Sequence, residues 1–110
     1  MSDRSDKLLV EDIWESIDKI LRYTAGMNEA TFKKQEMVVD AVIRNFEIIG
    51  EAASKISDEY ARAHADVPFR QMTKLRNRLI HGYFIISLHV LWSEISRDIP
   101  AWKTQIEKIK

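Results

Sequence analysis

The chain has 110 residues, 45% of them hydrophobic, which is enough for one domain with a core and too few for two. Lysine plus arginine and aspartate plus glutamate number 17 each, so the formal charge is zero and whole-chain electrostatics neither favour nor exclude a nucleic-acid partner. Cysteine is absent, which excludes disulfide frameworks, thiolate nucleophiles and cysteine-bound zinc, and fits a cytoplasmic setting.

The N-terminal stretch MSDRSDKLLVEDIW has no apolar core of signal-peptide length and carries acids throughout. The longest uncharged run, Leu79 to Ser93, is shorter than the roughly 20 apolar residues that a spanning helix needs, and glycine, two serines and two histidines interrupt it. No membrane segment is expected. With three glycines and two prolines, and apolar residues recurring at helical spacing, the chain reads as all-α.

The first helix is expected over Asp6 to Thr24, with Leu9, Ile13, Ile17, Ile20 and Leu21 on its inner side and Gly26 and Asn28 ending it. A second, long helix is expected from Thr31, as N-cap, to Ile56. Its stripe is Val38, Val42, Phe46, Ile49, Ala53 and Ile56. Asn45 interrupts that stripe, so its amide needs buried partners, either as a hydrogen bond between helices or as support for a site. Ser57 and Asp58 can cap a short amphipathic turn through Ala65, and Pro68 opens a helix containing Phe69, Met72, Leu75, Leu79 and Ile80. Ser87 caps a further helix through Leu88, Leu91, Trp92 and Ile95; Pro100 is expected to break it before a last short helix with Trp102 and Ile106. The result is an antiparallel bundle of four to five helices forming a single domain over residues 1–110.

Between Asp66 and Glu94 there is no acidic residue. That window holds Arg70, Lys74, Arg76, Arg78, His81 and His89, a local charge of about +4 from the four side chains always cationic near neutrality. Such a patch attracts phosphate, although a charged run on a helix is more often a solvated face. The spacing within RNRLIHGYF (76 to 84) adds information. At about 100° per residue, Arg76 and His81 point about 140° apart on one helix, while Arg76 and Tyr83 nearly eclipse. Either Gly82 breaks the helix or a second copy completes the site. The helical neighbours of His81 are Asn77 and Arg78.

Arg76, His81 and Tyr83 together resemble the R-x4-H-x-Y signature of HepT-like toxins, a branch of the HEPN ribonuclease superfamily. VIRNFEIIGEA (42 to 52) is similar to that family's second-helix block, VPFRQMTKLRNRLIHGYF (67 to 84) to its central block, and LWSEISRDIPAW to its C-terminal part. About two-thirds of the chain is covered, from Ala41 onward. Ile85-Ile86-Ser87 departs from the more familiar Gly-Val-Asp, and serine still caps the next helix.

The resemblance implies a HEPN-like bundle acting as the toxin of a bacterial or archaeal toxin-antitoxin pair. It further implies a metal-independent RNA endonuclease, built as a homodimer with the two arginine-histidine pairs facing across a cleft. Residue chemistry agrees with it. RNA supplies its own nucleophile, the 2′-hydroxyl; His81 can move protons near neutral pH, and Arg76 can hold phosphate oxygens as charge grows on them. Asn77, Arg78, Lys74, Arg70 and Asn45 are supporting or RNA-binding candidates. The expected products carry a 2′,3′-cyclic phosphate and a 5′-hydroxyl, and no cofactor is called for. The family's motif tyrosine, here Tyr83, is the residue on which a minimal nucleotidyltransferase antitoxin places AMP, adding negative charge beside His81.

Other chemistry-bearing residues carry weaker signals. His64 reads as a surface histidine, and His89 as one that caps, packs or neighbours RNA. Trp14, Trp92 and Trp102 read as core or dimer-interface residues, and no histidine pair has metal-ligand spacing. Two other classes compete: a non-catalytic HEPN-type module partnering a nucleotidyltransferase, and a helical adaptor. The ribonuclease reading expects Arg76 and His81 exposed in a shared cleft; the adaptor reading expects them buried in ion pairs.

Overall fold

The computed structural model describes residues 4–82 and 87–110, with His81 and Gly82 described by their backbone alone. The first helix, α1, spans Asp6–Thr24; the Ser5 side chain accepts from the Leu8 amide as its N-cap, and Gly26 leaves it at a φ of 77°, in the left-handed region that glycine enters without strain. Asn28, not Thr31, starts the next helix. Its side chain accepts from the Thr31 amide while the Thr31 hydroxyl accepts from the Asn28 amide, a reciprocal capping box. That short helix, α2, covers Glu29–Lys34, and the chain bends at Gln35 before α3, Glu36–Lys55. The single helix expected from Thr31 to Ile56 is therefore two. The asparagine two residues after Gly26 is the better cap, so it opens the next helix as well as following the end of α1.

Three more helices match the expected punctuation. They are α4, Asp58–Ala63, capped by Ser57; α5, Phe69–Gly82, after Pro68; and α6, Leu88–Ser93, capped by Ser87. Pro100 does not break the helix that α6 begins. The chain passes through a π turn, Glu94–Asp98, directly into α7, Ile99–Ile109, with the Ile99 amide donating to the Glu94 carbonyl. Proline lacks an amide donor, and its ring crowds the carbonyl four residues back. A widened turn just ahead of it absorbs both defects without ending the helix. Among the described residues there is no strand, and the expected all-α bundle is what forms.

The central helix is α3, which packs against α1 on one side and α5 on the other, while α7 closes over α1. Its inner stripe, Val39, Val42, Phe46, Ile49, Ala52 and Ala53, meets Ile13, Ile17 and Ile20 of α1 and Met72, Leu75 and Leu79 of α5 in one core, completed by Leu91, Ile95, Ile99, Trp102 and Ile106. The Asp6 carboxylate accepts from the Ser57 amide at 2.9 Å and hydroxyl at 2.7 Å, which ties the start of α1 to the end of α3 and fixes the two as antiparallel. No helix among the described residues is long and apolar enough to cross a membrane.

Candidate functional site

The basic window lies on α5. Its inner face, Met72, Leu75 and Leu79, is held in the core, so the period of 3.6 turns Arg70, Lys74, Asn77 and Arg78 outward, and all four are exposed. Arg70 and Lys74 form no ion pair among the described residues. The helix continues unbroken through His81 to Gly82, so Gly82 does not interrupt it between the arginine and the histidine. Arg76 and His81 therefore diverge by the expected angle of about 140° at their backbone positions. Tyr83 lies outside the described residues.

Arg76 is not exposed as the ribonuclease reading expected. Its side chain is only 20% accessible, because it lies across α3 at Gly50. A β-carbon at Gly50 would fall 2.0 Å from the Arg76 Cβ, 2.8 Å from its Cγ and 2.8 Å from the Met72 carbonyl oxygen, so only glycine leaves room for the stem. The Arg76 Nε is buried without a hydrogen-bond partner among the described residues, and Nη1 stands 3.6 Å from Oε2 of Glu51. Glu51 is 55% exposed and shared: its Oε1 is 3.4 Å from Nζ of Lys55, one turn on. The pair is thus half-buried, neither the open cleft of one reading nor the closed ion pair of the other.

Beside it, a groove of about 520 Å³ runs between α1, α3 and the end of α5. Arg44, Ile48, Glu51 and Lys55 line its α3 side, and Ile80, 48% exposed, lines its far edge. Across α5 from Glu51, another carboxylate faces the helix. Burial pushes the Glu94 carboxyl up to about 7, the hydrogen bond to Asp98 and the charge of Asp98 push the same way, and Arg78 and Arg97 pull against them. Glu94 sits at the head of the π turn, which brings it and Asp98 side by side.

Asn45 is buried, but it does not bridge helices. Its Nδ2 donates to the Ala41 carbonyl of its own helix at 2.8 Å, and its Oδ1 has no partner among the described residues. His64 is half-buried instead of fully solvated, stacked on Tyr60 with ring centres 4.4 Å apart. His89, exposed, holds Glu29 at 2.9 Å and links α6 to α2; Lys33 and then His89 hold the Glu29 carboxyl below its ordinary value. Trp102 is in the core, Trp92 packs on Phe32 at 5.3 Å, and Trp14 lies under Nζ of Lys110 at 4.4 Å. Gly50, Glu51 and Glu94 are the residues that sequence reading passed over. A glycine inside a strongly periodic helix was the available signal for the first, since such a residue marks a close backbone approach.

Residues 13–109 match the family model described as "Ribonuclease HepT-like". A Thermococcus cleftensis protein named "Probable ribonuclease HepT" is 39% identical over 97% of both chains. A Methanocaldococcus jannaschii protein, named as a candidate RNase, is 37% identical over 97% of this chain and 98% of its own. A more distant candidate RNase of Caldanaerobacter subterraneus is 29% identical over 91% of this chain and 89% of its own. No solved structure matches.

Proposed function

The chain belongs to the HepT-like ribonuclease family, and from that membership and the geometry of α5 we propose that it is an RNA endonuclease toxin working without a metal through Arg76 and His81. The observation that carries this reading is the placement of Arg76. Its stem packs on Gly50 of α3, and its Nη1 reaches the half-exposed Glu51 on the rim of an open groove. A fixed cation at an accessible edge stabilises charge growing on a phosphate without reorganising at the moment of reaction.

His81 takes the proton from the 2′-hydroxyl or gives one to the leaving 5′-oxygen; attack of that hydroxyl on phosphorus leaves a 2′,3′-cyclic phosphate and a 5′-hydroxyl. Because Arg76 and His81 diverge on one helix, a two-fold dimer that faces two copies of α5 completes each site with a group from its partner. Exposed Arg70, Lys74 and Arg78 hold the flanking phosphates, and Asn77 orients a histidine or donates to phosphate. Control falls to a nucleotidyltransferase antitoxin that adds AMP to Tyr83.

Incubating the purified protein with total RNA, with and without chelator, tests the reading. Cleavage that survives chelation and is lost in both Arg76→Ala and His81→Ala, with helicity retained, is expected. Each loss should be roughly 100-fold or more. Cleavage at the wild-type rate in either folded variant removes that residue from the mechanism.

A further inference from the structure

Glu51 stands between the groove and Arg76. Its carboxylate lines the groove on one side and faces Nη1 of Arg76 on the other, so a ligand entering along α3 meets Glu51 before it meets the arginine. Three features distinguish this contact from a fixed structural ion pair. At 3.6 Å it is well beyond the roughly 2.7–2.9 Å of a tight guanidinium–carboxylate hydrogen bond. Glu51 is more than half exposed, and Lys55 offers it a second cation 3.4 Å away on its own helix. The stem of Arg76 is placed without Glu51, because its Cβ and Cγ pack directly on Gly50 of α3. Among the described residues the buried Nε has no acceptor, so compensating this partly desolvated cation falls to what its terminal nitrogens meet.

We propose that Glu51 is a displaceable stand-in for the substrate phosphate. It neutralises Arg76 in the free protein, turns toward Lys55 when RNA arrives, and so sets how tightly RNA is held without taking part in the chemistry. This rests on the ribonuclease reading for the identity of the ligand, and it adds a residue that tunes affinity from outside the R-x4-H-x-Y motif.

The test is a coupling cycle on the full-length protein at low ionic strength, where screening does not hide the effect. The probe is a fluorescent 2′-O-methyl oligoribonucleotide, which keeps the phosphates and lacks the nucleophile. Glu51→Gln removes the charge and keeps the shape. It should bind the probe about three- to ten-fold tighter, the size of effect expected from one partly exposed neighbouring charge. In cleavage it should lower KM with kcat unchanged. Arg76→Gln keeps an aliphatic stem against Gly50 and removes the cation; in that background Glu51→Gln should gain nothing.

Three results overturn the proposal. They are unchanged or weaker binding in Glu51→Gln, an equal gain in the Arg76→Gln background, which marks a general charge effect, and a fall in kcat, which makes Glu51 a positioning residue instead. The ribonuclease reading fails separately if the wild type binds the probe yet cleaves no RNA, and the coupling then still decides the role of Glu51. If neither wild type nor Glu51→Gln binds the probe, both readings fall.

Discussion

Gly50→Ala adds one methyl group at the closest approach of α3 and α5. The new carbon would lie 2.0 Å from Arg76 Cβ and 2.8 Å from the Met72 carbonyl oxygen, where ordinary contacts need 3.4–4 Å. Neither atom is the far end of a flexible side chain, so relief requires α5 to retreat by on the order of 1 Å, in line with the cost of overpacking a filled core. Overpacking costs about 1–3 kcal/mol, and replacing glycine by alanine inside a helix returns about 1 kcal/mol; the contact with backbone places this site in the upper half, for a net loss of about 1–2 kcal/mol. For a chain of this size that lowers Tm by about 4–8 °C. The same retreat carries the Arg76 guanidinium with it, and a misplacement of about 1 Å at a reacting group costs on the order of 100-fold in rate. Thermal unfolding followed by circular dichroism, with RNA cleavage well below Tm, measures both. An alanine variant as stable as the wild type would show that the two helices are not in the contact described. A destabilised variant cleaving at full rate would show that the close approach does not position Arg76.

Glu94 makes stability depend on pH. Its carboxyl is raised from an ordinary 4.5 to about 7, so the folded chain holds the proton more tightly than the unfolded one, and stability falls as pH rises through that window. With the group half-buried and partly screened by solvent, the discounted effect is about 1 kcal/mol. Glu94→Gln should remove this part of the difference between urea midpoints at pH 5 and pH 8, and a slope identical to wild type would refute the assignment. Asn45→Leu removes a buried acceptor without a partner and should leave stability within about 1 kcal/mol of wild type or raise it, read from the same urea curves; a loss above about 2 kcal/mol would mean that Oδ1 is satisfied. Tyr83→Phe should cleave RNA but escape silencing by the co-expressed nucleotidyltransferase, with intact mass showing AMP added to the wild type alone. Added AMP on the phenylalanine variant would place the modification elsewhere.

Helices were legible wherever one apolar stripe ran uninterrupted to a recognisable stop or cap, as from Asp6 to Gly26 and at Ser57 and Ser87. Reading failed where two signals competed. Thr31 and Asn28 both have N-cap chemistry, and only the bend at Gln35 shows that the reciprocal pair starts a short helix of its own. Pro100 signals a stop in sequence, yet the π turn that lets the helix pass it leaves no mark in hydrophobic periodicity. At the site, the divergence of Arg76 and His81 followed from spacing alone, because α5 is regular. Burial of the arginine did not, since it depends on a glycine on another helix, 26 residues earlier in the chain.

That dependence also explains how a helix with four cations and no acid remains tolerable in the unliganded protein. FRQMTKLRNRLIHG contains no aspartate or glutamate, so no pair within α5 can neutralise it, and what compensation Arg76 and Arg78 have is supplied by neighbouring elements. Glu51 of α3 faces Arg76 on one side, and Glu94 at the π turn acts on Arg78 on the other. A counter-charge carried on a separate element can be withdrawn without disturbing the helix that holds the arginines, as Glu51 does by rotating toward Lys55. An acid within α5 would have remained beside the bound phosphate and opposed it throughout the reaction, as like charges one helical turn apart do. The acid-free sequence of α5 is therefore the condition under which Arg76 is compensated before RNA binds and available afterwards.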